Sequence, residues 1–378
     1  MIKITTAGES HGKGLFAIIE GLPSGLALDF DEIASRLAMR QSGFGRGARQ
    51  QIERDNAEIL SGVRNGVTLG SPVTLAVWNR DYGNWKDYMA PEGCDVTARR
   101  LTKVRPGHAD LTGLKKYGGT DARNILERAS ARETAVRVAA GTICRQFLRA
   151  LGVEIAGYVK CVGGICDDGE YSFEEIANRR LPELGMMNAE RQKEAIAFIS
   201  ACKEGKDTCG GVSEIRVRGL KSGFGSCMTY AEKLDARLVR ALMSVQAIKG
   251  AEVGLGFGAA ARRGSEAHDE IFYAEGRGFY RNTDRAGGTE GGMSNGEEIV
   301  LRAAMKPIPT LMKGLRTVDY ETKDAVRAAT ERSDVCAILA CETVLESAVA
   351  SELAAVVSER LGGDNLEEIK ERYGRLPS

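Results

Sequence analysis

Residues 127–141 read Glu127-Arg128-Ala129-Ser130-Ala131-Arg132-Glu133-Thr134-Ala135-Val136-Arg137-Val138-Ala139-Ala140-Gly141, and this stretch decides the architecture. Its alanine-rich, largely apolar run predicts a long helix over 131–151, opened by Ser130 and Glu133 in capping-box spacing. A strand near 153–160 follows. A second long helix is expected over 335–360, again preceded by a Glu-Arg pair, Glu331-Arg332. Before the first long helix the pattern predicts strands at 2–6 and 14–20 around a glycine turn, an amphipathic helix at 30–40, and strands at 51–60 and 73–78. Before the second it predicts a strand at 212–218, a helix at 231–243, and strands near 251–257 and 297–304. The stretch 161–210 is the most linker-like, yet it carries a helical pattern at 188–203 and reads as an embellishment. Gln41-Ser42-Gly43-Phe44-Gly45 after the first short helix is echoed by Lys221-Ser222-Gly223-Phe224-Gly225 before the second. Internal duplication is one reading of that echo, and chance identity of four residues is the other.

Composition narrows the class. With 378 residues, 43% of them hydrophobic, the chain can bury a large core without disulfides or metals. Lys+Arg and Asp+Glu stand at 52 each, so there is no basic excess of the kind that holds nucleic acid. A local basic pocket for a small anion remains compatible with that balance. The nine cysteines are scattered without paired CxxC spacing, which argues against a disulfide framework and a zinc site and for reduced thiols. The N-terminus has no basic region followed by an apolar run, and no stretch of 18 apolar residues occurs. The expectation is one soluble cytoplasmic domain over 1–378, with no membrane or nucleic-acid partner.

The chemistry concentrates in loops. Of three histidines, His11 lies in Gly8-Glu9-Ser10-His11-Gly12 and His108 in Arg105-Pro106-Gly107-His108-Ala109-Asp110, both framed by glycine. Loops on a rigid scaffold carry function more often than core packing. His268, among acidic neighbours, has no such frame. Arg128 and Arg132 flank the start of the first long helix, where unpaired amides and the helix dipole favour a phosphate or carboxylate. Glu331-Arg332-Ser333-Asp334 has the same form before the second. Arg40, Arg46 and Arg49 surround Ser42-Gly43-Phe44-Gly45, where guanidinium forks and open backbone suit an anion; a solvated basic loop is the alternative. Lys306-Pro307-Ile308-Pro309-Thr310 is stiff around one residue and either presets a wall for a planar ring or is an inert connection. Gly43–Ala48 and Gly254–Ala259 match a loose G-x-G-x-x-A pattern, but neither sits between a strand and a convincing helix. There is no Walker A motif, no G-x-S-x-G elbow and no H-E-x-x-H.

GESHG near the N-terminus, ERASARETAVRVAAG and ERSDVCA resemble the three signature regions of the chorismate synthase family, and SGFGRG, RPGHAD, EGGMSNG and MKPIPT resemble it too. The resemblance covers about residues 1–360. It implies an α+β fold with long central helices sandwiched between antiparallel β-sheets, assembled as a homotetramer. It implies an anti-1,4-elimination of phosphate from 5-enolpyruvylshikimate 3-phosphate, in the shikimate pathway to aromatic amino acids, requiring reduced FMN without net oxidation. By the same resemblance, FMN contacts fall on Arg128, Ala129, Ser130, Gln246, Ala247, Gly291, Lys306, Pro307, Ile308, Pro309, Thr310 and Arg332. Substrate carboxylates and phosphate fall to Ser10, Arg40, Arg46 and Arg132, with Arg40 and Arg46 also taken as NADP contacts in the family. His11 is expected to help the phosphate leave, His108 to influence flavin protonation, and Asp334 to assist proton movement at the flavin. Two other functions fit the anion-binding features: a different flavin or nicotinamide oxidoreductase, and a non-catalytic module that binds phosphate ligands.

Overall fold

The computed structural model describes residues 1–47, 54–179, 183–329 and 333–377. Its main elements, in chain order, are β1 (Lys3–Gly8), β2 (Gly14–Glu20), α1 (Phe30–Gln41), β3 (Glu58–Ser61), β4 (Val73–Trp78) and α2 (Thr134–Arg149), then β5 (Glu154–Val162), β6 (Gly211–Arg218), α3 (Leu234–Met243), β7 (Ile248–Val253), β8 (Ile299–Met305) and α4 (Ile338–Leu361). The first sheet runs β1-β2-β4-β3 and the second β5-β6-β8-β7, all pairs antiparallel. Each half therefore repeats one topology: two strands, a helix, two strands, a long helix. The Ser-Gly-Phe-Gly echo does not mark this repeat, because it follows α1 in the first half and precedes α3 in the second.

Alternation explains the layers. In β2, Leu15, Ala17 and Ile19 are fully buried while Ile18 and Glu20 face out; in β4, Val73, Leu75 and Val77 share the inner face. Helix α2 packs on β2 and β4, α4 packs on β5 and β6, and the two helices pack on each other. Both central helices are buried on most of their circumference, which is why neither reads as a simple amphipathic stripe. One continuous core, from Ile2 to Tyr373, spans both sheets and both helices.

Several expectations are corrected. The first long helix begins at Thr134 after a short 3₁₀ turn, Ala131–Glu133. Ser130 Oγ accepts from Arg132 N, but the Glu133 carboxylate is turned away to Thr6 Oγ1 at 2.9 Å and Gln246 Nε2 at 3.1 Å, so no capping box forms. The second long helix starts at Ile338, leaving Ser333 and Asp334 in the loop before it. The strand expected at 51–60 is Glu58–Ser61, and 51–53 lie outside the described residues, as do Arg49, Glu331 and Arg332. Cys161 and Cys166 are joined by a disulfide: β5 and the two-residue strand Ile165–Cys166 form a tight hairpin that sets them opposite each other, with Cα atoms 4.1 Å apart. The other seven cysteines are free. Among the described residues no helix is long and apolar enough to cross a membrane.

Candidate functional site

A cavity of about 440 Å³ opens where the N-terminal ends of α2 and α4 meet the loops after β1, α1, α3 and β8. Ser10, His11, Arg40, Arg46, His108, Ala129, Ser130, Arg132, Gln246, Ala247, Lys306, Ile308, Pro309, Thr310 and Asp334 line it, together with Arg105. Residues 324 positions apart in sequence thus share one wall. Of the other expected contacts, Arg128 is half-exposed and donates to Thr6 O, Thr6 Oγ1 and Gly8 O. Pro307 is exposed beside the cavity, and Gly291 sits in the Thr289–Ser294 hairpin, outside it.

Besides Arg105, three arginines reach the cavity from different elements. Arg40, in the last turn of α1, is 6% exposed and donates to Thr134 Oγ1, Ala131 O and Asp55. Arg132 donates to Asn79 Oδ1 at 3.0 Å and to the other Asp55 oxygen at 2.6 Å. The Asp55 side chain is fully buried between the two guanidinium groups. Burial pushes Arg40 down to about 10, against the pull of Asp55 and with the push of Arg132 and Arg46, so it stays cationic at neutral pH. Arg46, lowered by burial, pairs with Asp334 Oδ2 at 3.0 Å, and Asp334 Oδ1 accepts Gly47 N–H at 2.6 Å. The turn is held in place by Gly45 O, which accepts from Val335 and Cys336 N–H. Positive φ at Gly43 (111°) and Gly45 (88°) lets the chain make that approach, and a Cβ on Gly45 would meet Cys336 at 3.1 Å.

Each loop histidine rests on a buried carboxylate. His108 Nδ1 is 2.6 Å from Asp110 Oδ1, and Asp110 also takes two side-chain bonds from Arg105. Burial raises the Asp110 pKa, but hydrogen bonds from His108 and Arg105 and their charges hold it well below the usual carboxylate range. His11 Nδ1 lies 2.9 and 3.0 Å from the two oxygens of Glu127. His268 is exposed at the end of a short helix and does not line the cavity.

Another wall is backbone and proline. Ala247 has φ +70°, a left-handed conformation that costs a non-glycine residue about 1–2 kcal/mol, and its carbonyl accepts Lys306 N–H at 2.9 Å. Lys306 Nζ donates to Gly107 O, which ties this wall to the His108 loop, and burial with Lys249 lowers its pKa. Two buried polar atoms of lining residues, Arg46 Nε and Gln246 Oε1, have no hydrogen-bond partner among the described residues. One is a donor and one an acceptor, which suits a ligand carrying both anionic oxygens and polar ring edges. The cationic lining and the stiff Ile308-Pro309 segment fit a phosphorylated planar cofactor in the same way. Sequence reasoning missed Asp55, Asn79, Trp85 and the role of Glu127, because none sits in a pattern that announces a partner distant in sequence.

Comparison with known proteins adds identity. A family model described as chorismate synthase matches residues 2–357. The chain is 52% identical over 383 residues to the chorismate synthase of Geobacter sulfurreducens, covering 99% of this chain and 98% of that protein. It is 50% identical over 374 residues to that of Alkaliphilus metalliredigens, with the same coverages. A crystal structure of chorismate synthase superposes with a TM-score of 0.80 at 39% identity, covering 99% of this chain and 96% of that one.

Proposed function

The chain belongs to the chorismate synthase family of carbon–oxygen lyases, and from that premise we propose that it eliminates phosphate from 5-enolpyruvylshikimate 3-phosphate to give chorismate, with reduced FMN required and no net redox change. The observation that carries this reading is the convergence of Arg40, Arg46, Arg132, His11 and His108 on one cavity. A substrate with two carboxylates and a phosphate needs such a set. Arg40 and Arg132, preset around Asp55, neutralise charge as it builds on the departing phosphate, and they need no rearrangement to do so. Ser10, nearly fully buried, is a further substrate donor. As an imidazolium with Nδ1–H held by Glu127, His11 gives its Nε2 proton to the leaving phosphate. His108 and Asp334 hold or move protons at the cofactor.

Reduced FMN, when bound, supplies the electron-rich partner for the elimination. Ala129, Ser130, Gln246, Ala247, Lys306, Ile308, Pro309 and Thr310 would hold it from the cavity wall, with Arg128, Pro307 and Gly291 as outer contacts; Arg332, outside the described residues, joins the set on the family resemblance alone. Arg40 and Arg46 also serve a nicotinamide phosphate in this reading. A homotetramer is supported by apolar side chains left on the outer face of the first sheet, Ile18 and Trp78, and on the 271–281 hairpin, Ile271 and Phe279. Cytoplasmic placement follows from a biosynthetic role on soluble metabolites.

The test is anaerobic turnover of the enolpyruvyl phosphate with chemically reduced FMN. Equal release of phosphate and chorismate is expected, with no turnover on oxidised FMN. Steady NADPH oxidation with an accumulating reduced product would instead favour an oxidoreductase.

A further inference from the structure

Glu127 grips His11 twice. Its Oε2 accepts the His11 backbone N–H at 2.8 Å, and the same carboxylate lies 2.9 and 3.0 Å from the ring Nδ1. The ring also stacks on Trp85, centroids 3.9 Å apart and planes 27° apart. Trp85 in turn carries the guanidinium groups of Arg99 and Arg123, 4.0 and 5.1 Å from its centroid. Main chain, ring nitrogen and ring plane of His11 are thereby all constrained. Glu127 sits near the end of the short helix Arg123–Ala129 and is 2% exposed, and its remaining partner is Arg123 at 3.4 Å. Burial raises the Glu127 pKa, but the bond and charge of His11, with Arg123, hold it below the usual range. An ionised carboxylate can only accept hydrogen bonds, so the ring nitrogen it touches must donate.

We propose that Glu127 is the positioning residue for His11: it keeps a proton on Nδ1, so that Nε2, aimed into the cavity, is the nitrogen that gains and gives up a proton. What Nε2 does there rests on the function proposed above. The tautomer and its cause do not.

The chain has three histidines, so a ¹⁵N-histidine spectrum is sparse and is assigned by removing His108 and His268 in turn. Neutral His11 should be protonated at Nδ1 in the parent protein. In Glu127→Gln the amide oxygen can still accept the backbone N–H, while the amide NH₂ faces Nδ1, and the tautomer should switch to Nε2–H. Turnover of that variant should fall about a hundredfold, the lower range for a positioned proton donor, with KM nearly unchanged. Because Glu127 acts through His11, His11→Ala combined with Glu127→Gln should be no slower than His11→Ala alone. A neutral His11 protonated on Nε2 in the parent, or losses that multiply in the double variant, overturns the proposal. Should the parent show no elimination with reduced FMN, the functional reading fails, and the nitrogen spectra still decide the tautomer. Should Glu127→Gln fail to fold, the parent spectrum decides it alone.

Discussion

Asp55 sets how much positive charge the cavity presents, since it pairs with the buried forks of both Arg40 and Arg132. Removing one partner of a buried ionic set leaves charge uncompensated, at a cost of about 3–5 kcal/mol. Asp55→Asn should therefore lower the melting temperature strongly, and inorganic phosphate should raise it more in the variant than in the parent. Equal phosphate shifts in paired melts would mean that these arginines do not face the anion site. His11→Ala and His108→Ala should each slow turnover about a hundredfold or more, while exposed His268→Ala should leave it near the parent value; three similar losses in steady-state assays would contradict the assignment. Asp334→Asn has a different meaning from the one its sequence position suggests. Asp334 caps no helix; it faces Arg46 and the Gly47 amide, so the variant keeps an acceptor for the amide and loses the charge that fixes Arg46.

At the scale of elements, α2 and α4 approach so closely that only a glycine fits at 141. A Cβ there would lie 2.5 Å from Ser347 O and 2.6 Å from Ser347 Cβ. Gly141→Ala should cost about 1–3 kcal/mol through overpacking, read as a lower denaturant midpoint. An unchanged midpoint would show that the helices can part without loss. Helix α4 also buries Glu342 and Glu346, among Arg36 of α1, Arg145 of α2 and Arg179. Burial raises Glu346, but Arg36 and Arg145 pull it below the ordinary carboxylate value of 4.5. Its contribution to stability is present above pH 4.5 and is lost as pH falls below it. Glu342 is pushed above 4.5 by burial and by Glu346, so its contribution is present below pH 4.5 and fades as pH rises towards 7. Glu346→Gln should flatten the acid limb of the stability profile and Glu342→Gln the limb between 4.5 and about 7. Denaturation midpoints from pH 3 to pH 8 check both.

The whole molecule is two copies of one topology that cannot stand apart, because α2 and α4 each complete the other half's core. Fragments 1–151 and 152–378 should be insoluble alone and should reconstitute activity when co-expressed; two independently folded halves would refute a single domain. Much of this was legible beforehand. Strands 14–20 and 73–78 match in full, and the remaining main elements except the 51–60 strand shift by a few residues. Alternation and apolar run length are local properties, and they survive folding unchanged. The repeat was suspected from Ser-Gly-Phe-Gly, which proved to occupy non-equivalent places; strand order, which no short motif encodes, is what repeats. The glycine-framed histidines and the arginines were also readable, since residue type and turn chemistry announce an anion site. Their partners were not. Asp55 between two arginines, Glu127 beneath His11, the Cys161–Cys166 pairing and the turning of Glu133 from its helix to Gln246 all depend on which distant segments meet. Local sequence sets propensity and residue chemistry, whereas pairing across the fold is decided by packing the whole chain into one core.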